Sequence, residues 1–398
     1  MGFKPGKNRD SSHFVFSKMG AVPIFPHAVN VLLIAAAAAL VYSNSFHASF
    51  HFDDIHSIVE NSMIHRFDVR EIFTQSSRPV LDVTFALNYH FGKLHVFGYH
   101  LVNLLLHIAN GVMLYFILFW TLGKNRDTRV PLYAALIFIV HPVQTQAVTY
   151  IVSRSSVLAT SFYLLAFVFF IKGAGTSGRR SLCHLAGAFS ASCLGMGTKQ
   201  ETVTLPLALL LYDYYFISDG DLKSLGSRYK EHLALLSTVS IAIYLSFPEL
   251  SPRVALNGAS SVVMQQGQHV SSFQYFLTQL HVIPYYIKLL LIPTNLTLDY
   301  DWPVTRHLDA LTIFFFALLT ALVALGVWLF KRNRLISFGI LWFFLTLSVT
   351  SSFLVIEDVI FEHRLYLPSV GFAVIAAVLI GGISGPRTPA FKLDHTKD

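Results

Sequence analysis

At 398 residues, with 54% hydrophobic and only 13% charged side chains, the chain carries about half the charge of an average soluble domain, and its mean hydropathy of +0.56 rules out a fold that hides its apolar surface from water. Two cysteines provide no disulfide framework, and the net charge of +7 comes with no nucleic-acid motif and no glycine-rich phosphate loop. The apolar runs are continuous rather than alternating, so the predicted class is all-α: a polytopic membrane protein of about 10–11 transmembrane helices.

In chain order the predicted spans are Pro23 to Tyr42, Tyr99 to Leu122, Val130 to Val140, Ser155 to Ile171, Leu182 to Gly197, Thr202 to Phe216, His232 to Phe247, Leu311 to Phe330, Leu335 to Phe353 and Tyr366 to Ile383. No small-residue cleavage site follows the alanine run of the first span, which is expected to be retained. Residues 23–385 form one membrane domain, with a large first extracytoplasmic loop at 45–98, and residues 1–22 and 386–398 are cytoplasmic tails. With the N-terminus inside, nineteen of the 29 Lys and Arg residues fall on the inner side, including Lys124, Arg126, Arg129, Arg179, Arg180, Lys331, Arg332 and Arg334. The inner segments then sum to +11 and the outer ones to −4, which fixes the orientation. That scheme needs an even number of crossings. Phe273 to Ile292, interrupted by Pro284 and followed by Pro293, is therefore expected to be a re-entrant or interfacial hairpin rather than an eleventh span.

Every unusual polar cluster lies in a predicted outer segment, which puts the active site on that face. Phe50-His51-Phe52-Asp53-Asp54 precedes Ile55, Ile58 and Val59 at helical spacing, as in an amphipathic helix on the membrane surface. Asp53 and Asp54 either cap that helix or supply a catalytic carboxylate. Arg78-Pro79 opens a second helix through Tyr89, and Arg78 suits either a phosphate or lipid head groups. His141, with Gln144, Gln146, Tyr150 and Arg154 beyond it, is an ionisable stretch at the membrane edge, where function is the default reading; the alternative is a buried His141 and a snorkelling Arg154. Lys199 and Glu201, held between two spans, either neutralise each other or meet substrate. Glu362, His363 and Arg364 open the last span, with Arg364 suited to phosphate or to a structural pair with the acid. The histidines of the first loop, beginning with His47 and His51, lack a third ligand at metal-binding spacing, so no metal site is assigned. Asn295-Leu296-Thr297 is a sequon, a pattern too short to carry weight.

Taken together, Phe50 to Asp54, Arg78-Pro79 through Leu87-Asn88-Tyr89 to Gly98-Tyr99-His100-Leu101-Val102-Asn103, His141-Pro142 to Arg154, Lys199-Gln200-Glu201 and Arg364 to Gly371 occur in one order that resembles the membrane part of the transmembrane and tetratricopeptide-repeat O-mannosyltransferases, of the GT-C superfamily. The resemblance implies a GT-C-like helical bundle and an inverting glycosyltransferase. Such an enzyme takes a sugar, mannose in that family, from a polyprenyl-phosphate carrier to an acceptor hydroxyl of a protein or glycan, in a membrane and without nucleic acid. It also implies that the acidic pair of the first outer loop is catalytic, which here is Asp53 and Asp54. Arg78, Arg154, Lys199 and Arg364 are then candidates to stabilise the leaving phosphate, and His141, Glu201, Glu362 and His363 to line the substrate site. The donor is a substrate and no cofactor is called for; a divalent metal would be compatible but is not required. The tetratricopeptide part has no counterpart within these 398 residues, and the compact chain is expected in a bacterial inner membrane, or in the endoplasmic reticulum if eukaryotic. The competing class is a transporter or flippase of a lipid-linked sugar, which predicts charged midplane residues and related halves that the sequence does not display.

Overall fold

A computed structural model describes residues 24–123, 129–246, 264–265, 268–356 and 358–382. The predicted tails, Lys124, Arg126 and the outer stretch 248–263 lie outside them. Within them the chain is an all-α polytopic membrane protein. Helix α1 (Ile24–Val41) leads into the first outer loop, where α2 (Ser62–Arg66), α3 (Val69–Gln75) and α4 (Pro79–Gly92) precede the long α5 (Val96–Leu122). Then come α6 (Arg129–Val140), short α7 (Thr145–Thr149), α8 (Arg154–Ala174), α9 (Gly178–Met196) and α10 (Leu205–Tyr212). After these follow α11 (Leu222–Ser227), α12 (Tyr229–Ser237), α13 (Val239–Ser246), α14 (Ser272–Leu291), α15 (Ala310–Leu329), α16 (Arg334–Leu347) and α17 (Ser369–Ile380). Among the described residues the one strand pairing is Met264–Gln265 with Gln268–His269.

Val96–Leu122, Ile151–Ala174 and Ala310–Leu329 are long and apolar enough to cross a bilayer alone, and α6 bends by 52° into Pro142–Thr149. The bend falls at Pro142, which cannot continue the hydrogen-bond ladder of α6. Other predicted spans are assembled from pieces: 3₁₀ turn Gln200–Thr204, α10 and π-turn Asp213–Ile217 run on without a gap. One buried cluster, from Ile34 on α1 through Tyr115 and Phe167 to Trp342 and Ala377, welds the helices. Between α16 and α17 the packing closes to backbone contact: a Cβ on Gly339 would lie 2.8 Å from the carbonyl oxygen of Gly371, and one on Gly371 would collide with the Gly339 carbonyl. Gly371→Val should therefore prise the pair apart and lower stability by ~1–3 kcal/mol. Thermal unfolding in detergent would show this as a drop of several degrees, and an unchanged midpoint would refute the contact.

Two expectations are corrected here. The segment around Pro284 is no hairpin: α14 is one continuous 20-residue helix with Pro284 inside it, because a buried helix loses only one backbone bond to proline and neighbouring groups compensate. Three of its hydrogen bonds to other elements nonetheless join residues assigned to the outer side: Gln279 to the carbonyl of Val359, Tyr286 to that of Phe361, and His141 to the carbonyl of Leu290. Ile55–Val59, for its part, is a five-residue π-turn whose Ile58 is fully buried. It packs with Ile64, Ile72, Leu81, Phe85, Tyr99 and Ile151, so the first outer loop has a core of its own.

Candidate active site

The turn between α6 and α8 is where the separate outer segments meet. Val152 donates its N–H to Asp54 Oδ1 at 2.7 Å, and the N–H of His51 reaches Oδ2 at 3.3 Å. Asp54 has no exposed surface, and burial raises its pKa to about 6 against the lowering effect of those two bonds. It stands at the N-cap position of the π-turn, yet its side chain makes no cap bond; the capping alternative fails for Asp54 because its oxygens are turned to the neighbouring segment. Asp53 is exposed, and its N–H donates to the hydroxyl of Tyr150 at 2.9 Å. The adjacent acids thus face opposite ways, one into protein and one outward.

Three of the residues proposed from sequence are used up by the fold. Arg154 is fully buried; it donates to Asn103 Oδ1 at 2.7 Å, the carbonyl of Tyr99 at 3.0 Å and both oxygens of Thr84 at 3.3 Å, and it lies 4.6 Å over the ring of Phe85. Neither a leaving phosphate nor a head group can reach it, so both readings of Arg154 give way to a structural one. His141 binds the Leu290 carbonyl through Nε2 at 2.9 Å and accepts the Val143 N–H on Nδ1 at 3.2 Å, so both ring nitrogens are occupied within the protein. Glu362 Oε1 accepts the Thr297 N–H at 2.7 Å and the Tyr300 hydroxyl at 2.6 Å, which ties the 294–302 strap down beside the site.

The remaining cations converge. The N–H of Val80 donates to the carbonyl of Gly197, docking the first turn of α4 on the turn after α9 and bringing Arg78, at the head of α4, to Lys199. Lys199 is buried; its Nζ lies 2.8 Å from Glu201 Oε1 and donates to Ser156 Oγ at 2.8 Å. Burial lowers the pKa of its ammonium, Glu201 opposes that, and the nearby Arg78 and Arg364 lower it further. His363 is held by its N–H on Gln146 Oε1 at 2.7 Å and by stacking on Phe361 with ring centres 4.9 Å apart. Its imidazole is kept neutral by burial and by Lys199, Arg364 and Arg78 around it, and its buried Nδ1 has no partner among the described residues. Arg364, buried, donates to the carbonyls of Asp358 at 2.7 Å and Val359 at 3.3 Å. Four basic groups and one acid thus lie close together, Lys199, Glu201 and Arg364 buried and Arg78 and His363 half-buried, an arrangement with attraction for an anion. No group of three or more His, Cys, Asp and Glu side chains suited to a metal converges among the described residues.

The chain is similar to several protein O-mannosyl-transferases. One from Caenorhabditis elegans is 26% identical over 391 residues, 89% of this chain and 52% of its own length; human protein O-mannosyl-transferase TMTC1 is 28% identical over 86% of this chain and 44% of its own length. Protein O-mannosyl-transferase tmtc2 of Xenopus laevis reaches 33% over 202 residues, 46% of this chain and 24% of its own. The chain spans about half the length of the protein O-mannosyl-transferases it matches. No family model and no solved structure matches it.

Reasoning from sequence passed over Gln146, Tyr150 and Ser156 as site-builders, although the polarity of their segment was visible. Their partners Leu298 and His363, Asp53, and Lys199 are far away in the chain.

Proposed function

We propose that the protein is an inverting glycosyltransferase that moves a sugar, mannose by the names of its relatives, from a polyprenyl-phosphate carrier to a Ser or Thr hydroxyl on the extracytoplasmic side of the membrane. The observation that carries this reading is the convergence of Arg78, Lys199, His363 and Arg364, with Lys199 and Arg364 buried, together with an exposed carboxylate, Asp53, held by Tyr150 on the same 146–156 segment that holds His363 through Gln146 and Lys199 through Ser156. The charge bias of the loops supports an outer position for this face: the periplasm for a bacterial inner membrane, the lumen for an endoplasmic reticulum.

Asp53 accepts the proton of the acceptor hydroxyl as that oxygen attacks the anomeric carbon. The bond from that carbon to the phosphate oxygen breaks, its electron pair leaving with the lipid phosphate, and configuration inverts. The exposure of Asp53 favours it over Asp54, whose carboxylate has no exposed surface to offer an acceptor. The phosphate, gaining charge, is stabilised by the cationic pocket. An apolar cleft lined by Ile287, Leu290, Phe343, Phe372 and Ile375 begins within one helical turn of Tyr286, on whose hydroxyl the site segment Phe361 is hung, and suits the carrier's hydrocarbon.

The test is transfer of radiolabelled mannose from a polyprenyl-phosphate donor to a Ser/Thr peptide in membranes. Wild type should transfer with inversion, and Arg78→Gln should raise the donor KM about tenfold, the worth of one charge-assisted contact. Absence of transfer by folded wild type with several sugar donors would favour a flippase.

A further inference from the structure

We propose that Tyr150 is the positioning residue that presents Asp53 to the acceptor, an inference that rests on the reading of Asp53 as the base. Three observations meet at this one side chain. Its hydroxyl accepts the backbone N–H of Asp53 at 2.9 Å. Its ring stacks on His51, with centres 5.4 Å apart and planes 16° from parallel. Between those two held residues, Phe52 adopts φ of 50°, a left-handed conformation that bulky side chains avoid.

These fit together as cause and effect. A left-handed residue reverses the chain locally, and here it turns Asp53 out to the surface while Asp54 stays fully buried. A peptide left to itself would relax Phe52 to a negative φ and rotate the Asp53 carboxylate away. Such conformations persist only where the surroundings fix them. Tyr150 does so from both sides of Phe52, by the ring on His51 and by the hydroxyl on Asp53. It is itself only 5% exposed, which gives it a rigid seat. The phenol stays protonated, because burial raises its pKa and the two nearby carboxylates raise it further, so it holds the Asp53 N–H as a neutral hydroxyl.

The role is separable from packing. Tyr150→Phe keeps the stacked ring and removes only the hydroxyl. In full-length protein, we expect this variant to lower kcat about tenfold or more with the donor KM unchanged within twofold, since the phosphate pocket is untouched, and to speed hydrogen exchange at the Asp53 amide. Adding Phe52→Asn, a residue that tolerates the left-handed region, should recover at least about threefold of the lost kcat without restoring the phenol. An unchanged kcat in Tyr150→Phe, a KM rise matching the kcat loss, or no recovery in the double variant would each overturn the role. Asp53→Asn is run alongside: full activity there removes the base assignment itself, whereas its loss beside an unaffected Tyr150→Phe overturns the positioning role alone.

Discussion

Replacing Asp53 with Asn should reduce sugar transfer by about 10² to 10⁴ with the protein at normal abundance, the range a positioned base contributes. Asp54→Asn should behave differently. An amide keeps one acceptor oxygen for the Val152 N–H at 2.7 Å but turns an N–H₂ group toward the N–H of His51, leaving buried donors facing each other. The expected cost is ~1–3 kcal/mol of stability, seen as a lower unfolding midpoint and reduced yield, with residual turnover per folded molecule well above that of Asp53→Asn. Steady-state transfer normalised to folded protein, measured with thermal unfolding on the same preparations, decides the point. If Asp54→Asn is the dead, stable variant and Asp53→Asn is active, the roles are reversed.

The second large effect concerns Lys199. Lys199→Met strands the Glu201 carboxylate in a site where both side chains are less than a tenth exposed, and unpaired buried charges cost ~3–5 kcal/mol. The single variant should accumulate poorly. Replacing both partners, as Lys199→Met with Glu201→Gln, removes the stranded charge, so abundance should return to near wild type. Donor binding should not return, because the pocket has lost a cation that faces the phosphate. Protein level by immunoblot and donor KM in the double variant separate the structural part of the pair from its part in recognition. A double variant with wild-type KM would show that Lys199 only neutralises Glu201.

How far the sequence could be read depended on what each residue's signal reports. The helical membrane class followed from apolar runs that only helices can satisfy in lipid, and the loops with chemistry stood out because charges held at a membrane edge are costly. Arg78, Lys199 and Arg364 share one pocket; Arg154 gave the same signal and turned inward. A guanidinium needs several acceptors, and a sequence does not say whether they are phosphate oxygens or, as here, Asn103, Thr84 and Tyr99. Proline misled at Pro284, where the local cost was real but smaller than the burial gained by Tyr275, Leu280, Tyr286 and Leu289 on the same helix. That Asp53 faces outward and Asp54 inward was beyond reach, since Tyr150 and Val152, nearly a hundred residues downstream, hold them.

The stretch from Gln146 to Ser156 has a consequence for how the site tolerates change. Gln146 holds the His363 backbone, Tyr150 and Val152 hold the two acids, and Ser156 holds Lys199, so one short covalent segment sets the gap between the acidic pair and the basic cluster. Insertions in the inner loops leave that gap alone. One extra residue between Arg154 and Ser156 would carry Ser156 about 100° around α8, away from Lys199, with every side chain intact.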